Sequence, residues 1–299
     1  MLLSIANPAF RAALYHLAKR AGAHLVGSVG EARSAMPGLL LNTLPKSGSV
    51  FLLHTLSETL GCGRLHLGNM YSLIDQISLE KMQVFAKGGW VVQDHLAPSL
   101  ENLQILRHFG CSMVLHVRDP RQAMVSWAHH LDRIYRKHGE EPLLLVAPCP
   151  PAGYFTWDFT TKIDWQIDHY LPLVIDWLVR WLAVHDAEEI PILLTDYREL
   201  SGDVGRLCRR ICRFYGIAVD GLRFVDVPKT VDNHFRLADD EEWRRVLDPA
   251  QIERVAALLP AELAYRFGWL HTAARDERSI AHAAMNAGES LAVSRRAAS

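Results

Sequence analysis

The residue types that could do chemistry are concentrated in the segment Leu41-Asn-Thr-Leu-Pro-Lys-Ser-Gly-Ser-Val50. An apolar run leads into a proline, a lysine, two serines and a glycine, and apolar residues at helical spacing follow up to Leu60. A strand, a tight polar turn and a helix in this order aim backbone N–H groups and the positive end of a helix dipole at one place. The segment therefore predicts a binding site for an anion such as a phosphate.

The order of lysine and glycine separates this segment from the commonest phosphate-binding loop. The loop of P-loop NTPases reads G-x-x-x-x-G-K-[ST], with the lysine directly after the last glycine. Here Lys46 precedes Gly48, and no glycine lies four or five residues earlier. Pro-Lys-Ser-Gly-Ser with an aromatic residue two positions on instead resembles the loop with which sulfotransferases hold 3'-phosphoadenosine 5'-phosphosulfate (PAPS). The alternative interpretation is a Pro-Lys-Ser-Gly turn that binds no ligand.

The resemblance implies a set of contacts to PAPS along this loop, of which the first four residues would hold the 5'-phosphosulfate. The implied nucleotide-binding residues are Lys46, Ser47, Gly48, Ser49, Val50 and Phe51. Phe51 takes the place of a family tryptophan that packs on adenine, and an aromatic face can make the same contact. Val50 stands where the family has a second threonine, so this position lacks a hydroxyl donor.

A second motif, Arg118-Asp-Pro-Arg-Gln-Ala-Met-Val-Ser126, follows another apolar run. It resembles the family's 3'-phosphate motif, an arginine at a strand end with a serine eight residues later. Arg118 and Ser126 are thus implied to bind the 3'-phosphate, because a guanidinium makes bidentate bonds to phosphate and a hydroxyl adds a donor. Taken singly, Arg118 could form a strand-end ion pair and Ser126 could be an ordinary helix-surface serine.

Asp119 offers a competing interpretation, because P-loop NTPases end an apolar strand with a magnesium-binding aspartate. Pro120 follows directly, and an aspartate before a proline is typical of a helix N-cap. We therefore interpret Asp119 as a cap. The chain also has no spacing of cysteine or histidine that is typical of a metal site, so we expect no metal ligand.

The segment Asp94-His95-Leu96-Ala97-Pro98 resembles the family's Lys-Thr-His-Leu-Pro run, which carries a catalytic histidine. His95 is thus implied to be the base that removes the proton of the acceptor hydroxyl, and imidazole suits this role near neutral pH. Lys46 can stabilise the bridging oxygen as the phosphate leaves. The family's lysine and threonine are Gln93 and Asp94 here; Asp94 either orients His95 or lies at the sheet edge.

Two further matches lie later in the chain. One is similar to a family strand whose tyrosine lies near the adenine: Leu193-Leu-Thr-Asp-Tyr-Arg-Glu-Leu200. Tyr197 is therefore either a candidate nucleotide contact or a tyrosine at the rim of the site that makes no such contact. Asn233-His-Phe-Arg236 is similar to a C-terminal segment that closes over the 3'-phosphate, which makes Arg236 a further candidate.

The elements that must position these residues alternate between strand and helix patterns. Strands are predicted at 38–44, 90–94, 112–117 and 190–195, and helices at 50–60, 99–109, 120–137, 163–185, 204–215 and 250–266. Such alternation predicts an α/β fold: a P-loop-like three-layer domain with a central, mainly parallel sheet flanked by helices. We expect an N-terminal helical extension at 1–37, a sulfotransferase domain at 38–272 and a mobile tail at 273–299.

Composition limits the partners that the chain can have. The formal net charge is −1 over 299 residues, so no global basic field indicates nucleic acid. Five scattered cysteines predict reduced thiols and a cytoplasmic location. No stretch is typical of a membrane span. An amphipathic helix at 8–26 favours core packing over contact with a membrane surface, and a homodimer is left open.

Together these features predict a PAPS-dependent sulfotransferase that acts on a hydroxyl or amine of a small-molecule, lipid or sugar acceptor. The alternatives are a P-loop kinase-like phosphotransferase, which would need Mg²⁺ and ATP, and a nucleotide-binding protein without catalysis. We expect the walls of the acceptor-binding site to come from residues 68–88, from residues 138–160 and from the predicted helix at 163–185, which carries Trp165, Trp177 and Trp181. Tyr154, Phe155 and Trp157 either face an apolar acceptor or pack their loop against the protein.

Overall fold

Short apolar runs assemble into one parallel sheet in the computed structural model, which describes residues 36–68, 72–225 and 241–269. The strands are β1 (Leu39–Thr43), β2 (Gly63–Leu65), β3 (Trp90–Asp94), β4 (Met113–Val117) and β5 (Ile192–Asp196). Their order is β2-β3-β1-β4-β5 and every pairing is parallel. The predicted α/β class is confirmed, and β1 lies in the centre between β3 and β4.

Helices connect the strands, as a parallel sheet requires. They are α1 (Ser49–Leu60), α2 (Leu79–Phe85), α3 (Leu100–His108), α4 (Pro120–His138), α5 (Phe159–Asp186), α6 (Tyr197–Gly202), α7 (Val204–Phe214), α8 (Trp243–Val246), α9 (Pro249–Leu258) and α10 (Ala261–Arg266). The segment between α4 and α5 contains two 3₁₀ turns, Glu141–Leu145 and Tyr154–Thr156. None of the helices in the described ranges is long and apolar enough to cross a membrane.

The sequence prediction was wrong at the last helix and incomplete at the sheet edge. Instead of one helix over 250–266, α9 ends at Leu258 and α10 begins after Pro260. Proline has no N–H to donate and disfavours helical backbone at the preceding residue, so it divides the segment. The prediction also missed β2, α2, α6 and α8, which are too short to show a clear apolar period.

The core lies beneath the loop that joins β1 to α1. Every residue of β1 and β4 is buried, as expected for strands covered on both faces. The side chains of α1 pack on this sheet with Leu207, Cys208, Ile211 and Cys212 of α7. The two cysteines are therefore small core residues.

Two predicted segments lie outside the described residues. These are the helix at 8–26 within the proposed N-terminal extension and the tail from 273. By their internal contacts, residues 1–255 form one compact unit and residues 256–299 another. All the described candidate site residues belong to the first unit.

The amino-terminal ends of β1 and β4 are tied together by one phenol. The Tyr215 hydroxyl accepts a hydrogen bond from the Leu40 N–H (3.0 Å) and lies within donating distance of the carbonyl oxygens of Leu40 (2.9 Å) and Ser112 (3.2 Å). Tyr215 thus joins the end of α7 to β1 and β4 at their amino-terminal ends, and the β1–α1 loop lies at the opposite end of β1.

Replacing Tyr215 with phenylalanine should lower the free energy of unfolding by about 1–2 kcal/mol, because the hydroxyl's hydrogen bonds are lost without a substitute. Urea denaturation measures the change. Tyr265→Phe, which removes a hydroxyl from a side chain that is 69% exposed, is the control. Equal unfolding free energies for the two variants would contradict this role of Tyr215.

Candidate functional site

The loop between β1 and α1 has an unusual backbone. Lys46 has φ 68° and Gly48 has φ 80°, both in the left-handed region. Glycine adopts this region without strain, but a lysine seldom does. Left-handed non-glycine residues persist where the surroundings determine the conformation, and they cluster at functional sites.

Two side chains at the end of β4 hold the carbonyl groups of this loop. The Arg118 Nη1–H donates to the Lys46 carbonyl oxygen at 3.0 Å, and the His116 Nε2–H donates to the Ser47 carbonyl oxygen at 2.9 Å. The Leu44 N–H also donates to the His116 carbonyl oxygen at 2.8 Å. The loop conformation therefore depends on β4 as well as on its own sequence.

The start of α1 has no side-chain cap. Gly48 occupies the N-cap and, having no side chain, cannot cap the helix. The first backbone N–H groups of a helix have no acceptor within it. The buried Ser47 hydroxyl, moreover, has no hydrogen-bond partner among the described residues. These N–H groups, the Ser47 hydroxyl and the helix dipole fit a phosphate or sulfate group at this end.

Close packing behind Gly48 explains why the loop has a glycine there. A Cβ at this position would lie 2.7 Å from Leu200 Cδ2 and 3.3 Å from Tyr197 Cε2. Both residues belong to α6, which follows β5. The loop therefore has α6 on one side and, through the bonds from His116 and Arg118, β4 beneath it.

Arg118 contacts both the Lys46 carbonyl and the ring of Tyr197. The Arg118 guanidinium carbon lies 3.8 Å from the centre of the Tyr197 ring, and Arg118 is only 5% exposed. Ser126 is also buried. It lies six residues after Pro120, the first residue of α4, and thus about 9 Å from the start of the helix along its axis. No hydrogen bond within the described ranges joins Ser126 to Arg118. Phe51, predicted to contact adenine, is partly buried and packs against the core, as does Tyr197.

His95 is positioned by the last residue of β1. Its Nδ1 lies 2.6 Å from the Thr43 carbonyl oxygen, which can only accept, so Nδ1 carries the hydrogen. In the neutral ring the lone pair is then on Nε2. Burial lowers the pKa of His95 below its ordinary 6.5, although the Thr43 bond and the charge of Asp94 oppose the shift. Gln93 supports Thr43 by donating to its hydroxyl at 3.0 Å.

The backbone after His95 is held from two directions. The Leu96 N–H donates to Asn42 Oδ1 at 2.8 Å. The Leu96 carbonyl oxygen accepts from the indole N–H groups of Trp177 (2.7 Å) and Trp181 (2.9 Å) on α5. These tryptophans, expected to line an acceptor site, therefore fix the segment that carries His95.

Asp94 does not orient His95, because its carboxylate points to the neighbouring strand. One oxygen accepts from His66 Nδ1 at 2.8 Å, and the other accepts from the N–H groups of Leu67 (2.6 Å) and Gly68 (3.3 Å). Burial works to lower the pKa of His66, but the hydrogen bond and charge of Asp94 outweigh it and raise the pKa. Asp94 therefore fixes the turn after β2.

The Asp119 carboxylate is engaged as a cap and an ion pair. It accepts from the Arg121 N–H at 3.0 Å and from the guanidinium of the same residue at 2.6 Å. The interpretation as the N-cap of α4 is confirmed. Within the described part of the chain, no three His, Cys, Asp or Glu side chains come together in a way that could hold a metal ion.

The aromatic residues of the 138–160 segment pack it against helices. Tyr154 is fully buried and accepts from Gln166 Nε2 at 2.9 Å, while Phe155 stacks on Tyr135 with ring centres 4.1 Å apart. Of the two interpretations of these side chains, the structure favours packing of the loop. Arg236 lies outside the described residues.

Sequence reasoning missed the supporting residues of this site. His116 and Thr43 received no role, although both hold segments of the candidate site in place. A histidine within the apolar run Met-Val-Leu-His-Val is a detectable signal, because a buried polar side chain needs partners. Which partners it finds cannot be seen from the run itself.

Gly48→Ala should lower the free energy of unfolding by about 1–3 kcal/mol more than Gly61→Ala does, because overpacking against Leu200 adds to the backbone strain at position 48. Gly61 is the matched control: it ends the same helix with φ 60°, and a Cβ there would meet no atom within 4 Å. Urea unfolding of the two variants gives the difference. Equal losses would show that Leu200 and Tyr197 do not restrict the loop.

Comparison with known proteins bears on the family of this chain. A sequence model of the sulfotransferase domain family matches residues 37–238, which is more than half of the chain. No curated protein matches at a significant level.

Three solved structures are matched at low sequence identity. Mouse sulfotransferase SULT7A1 complexed with PAP is 18% identical, with 74% of this chain and 82% of that chain covered and a TM-score of 0.47. A sulfotransferase from Alicyclobacillus acidocaldarius is 15% identical over 75% and 96%, with a TM-score of 0.40. Retinol dehydratase in complex with retinol and PAP is 14% identical over 76% and 82%, with a TM-score of 0.42. On the family-model match, which spans β1 to the region after β5, this chain belongs to the sulfotransferase family.

Proposed function

We propose that this chain transfers a sulfuryl group from PAPS to a hydroxyl or amine of a small-molecule, lipid or sugar acceptor. The observation that carries the proposal is the start of α1, which has no side-chain cap and begins three residues after Lys46. Its N–H groups, the Lys46 ammonium and the hydroxyls of Ser47 and Ser49 form a donor set for the 5'-phosphosulfate.

The 3'-phosphate is assigned to Arg118 together with Ser126. The buried guanidinium already lies on Tyr197 and on the loop carbonyl, so its orientation is set before nucleotide binds. A planar fork held in this way suits bidentate recognition of a phosphate. Tyr197 would then contribute through its ring, and Phe51 by packing near the adenine.

His95 is assigned as the base. The acceptor oxygen or nitrogen attacks sulfur and gives its proton to Nε2 of His95, while the bond from sulfur to the 5'-phosphate oxygen breaks. Lys46 and the N–H groups of the loop stabilise the negative charge on that oxygen. Adenosine 3',5'-bisphosphate and the sulfated acceptor leave, and His95 returns its proton to solvent.

The kinase-like alternative has less support in this chain. It would need an aspartate at the end of β4 that is available to magnesium. The Asp119 carboxylate is instead committed to the Arg121 guanidinium and to the N-terminus of α4. A nucleotide-binding protein without catalysis would bind adenosine 3',5'-bisphosphate but would turn over no acceptor.

Calorimetric titration tests the nucleotide. Adenosine 3',5'-bisphosphate should bind at least about tenfold more tightly than ADP, because the 3'-phosphate gains charge-assisted bonds from Arg118. Arg118→Lys keeps the positive charge but loses the fork, and should remove most of this preference. If the unmodified protein binds both nucleotides equally, the assignment of the 3'-phosphate is wrong.

The pH dependence of sulfuryl transfer tests His95, with radiolabelled PAPS and a panel of acceptors. A base acts unprotonated, so kcat/KM should be full at neutral pH and fall only as the pH drops through a pKa that burial holds below 6.5. His95→Ala should lower kcat by about 10²–10⁴ and leave bisphosphate affinity nearly intact.

His108→Ala is the matched control, because His108 is an exposed residue of the last turn of α3. A His95→Ala enzyme as active as this control would remove His95 as the base. An acidic limb that stays in the His95→Ala profile would assign it to another group.

A further inference from the structure

A histidine is enclosed within the central sheet directly below the phosphate-binding loop. His116 is the fourth residue of β4 and is fully buried. Its Nε2 lies 2.9 Å from the Ser47 carbonyl oxygen, and its Nδ1 lies 2.8 Å from the Thr195 hydroxyl of β5. The carbonyl can only accept, so Nε2 carries the hydrogen, and Nδ1 of the neutral ring accepts from the Thr195 O–H.

The neutral state of this ring is maintained by its surroundings. Burial lowers the pKa of His116 to about 4, although the bond to Ser47 and nearby acidic groups oppose the shift. One donor and one acceptor on a rigid ring are what this position between a carbonyl and a hydroxyl needs. A lysine or arginine would supply donors alone and would bring an uncompensated charge into the sheet.

The bond to the Ser47 carbonyl also sets the direction of the Gly48 N–H, which belongs to the same peptide group. In a trans peptide the C=O and the N–H of the next residue point in opposite directions. A Ser47 carbonyl held toward the ring of His116 therefore turns the Gly48 N–H away from it. Gly48 is the N-cap of α1, so this N–H belongs to the donors that face the anion.

We propose that His116, held by Thr195, is a positioning residue that directs the Gly48 N–H to the 5'-phosphate of the nucleotide. The proposal rests on the function proposed above, since it assigns a task within the same loop. It goes further in making recognition of the 5'-phosphate depend on a β4–β5 contact that lies beneath the loop and touches no substrate.

The experiment compares two variants with a control that loses a buried hydrogen bond elsewhere. His116→Phe removes both ring nitrogens, and His116→Gln restores a donor at the position of Nε2. Tyr215→Phe is the control, because it loosens the same strands β1 and β4 at their opposite ends. Calorimetry measures binding of adenosine 3',5'-bisphosphate, adenosine 3'-monophosphate and adenosine 5'-monophosphate to each protein.

His116→Phe should weaken the binding of both 5'-phosphorylated nucleotides about tenfold, the value of one hydrogen bond to a charged group. Adenosine 3'-monophosphate, which has no 5'-phosphate, should bind with unchanged affinity. His116→Gln should recover most of the loss, and Tyr215→Phe should change none of the three affinities.

Two results would overturn the proposal. The first is unchanged binding of the 5'-phosphorylated nucleotides to His116→Phe or, if that variant does not fold, to Thr195→Val. The second is an equal loss for all three ligands, which would indicate general loosening of the site. Failure of the proposed function is a separate result: the unmodified protein would bind the bisphosphate no more tightly than adenosine 5'-monophosphate.

Discussion

The structure depends on a loop whose carbonyl groups are held from below by a neighbouring strand. The bonds from His116 to Ser47 and from Arg118 to Lys46 set the direction of the peptides that lead into α1. The first N–H groups of α1, which have no acceptor within the helix, are then presented at its start. The position of β1 beside β4 makes both bonds possible, so the conformation of the loop depends on the sheet.

The same central position of β1 also brings the candidate residue His95 to the end of β1. On the other side, β3 ends at Asp94, and the next residue, His95, turns its ring to the Thr43 carbonyl. Alternation along an extended chain points the Asp94 side chain the other way, to the turn after β2. The adjacent residues Asp94 and His95 thus contact different segments, the turn after β2 and the end of β1. The tautomer of His95 is set by a backbone carbonyl and not by a carboxylate.

Burial gives the two histidines their different characters. The ring of His116 has both nitrogens satisfied and no access to solvent, so it can only hold the loop. His95 has a bonded Nδ1 and is partly exposed, so its Nε2 is the nitrogen suited to take up a proton. Residue type alone does not show how many nitrogens of an imidazole are committed to hydrogen bonds, whereas the tertiary structure does.

The sequence by itself determined the order and type of most elements, and it singled out the loop at Lys46, the arginine at the end of β4 and the histidine after β3. These features are local: buried strands leave apolar runs, helix ends leave caps and glycines, and a loop that holds an anion must bring small residues and a cation to a helix start.

Only the tertiary structure decided which residues support the site. The partners of His116 are 69 and 79 residues away along the chain, and the partner of His95 is 52 residues away. Such contacts follow from the order of the strands, which no local pattern specifies. The same reason explains why Asp94 serves the turn after β2 and why the tryptophans of α5 fix Leu96: the sheet decides which segments meet.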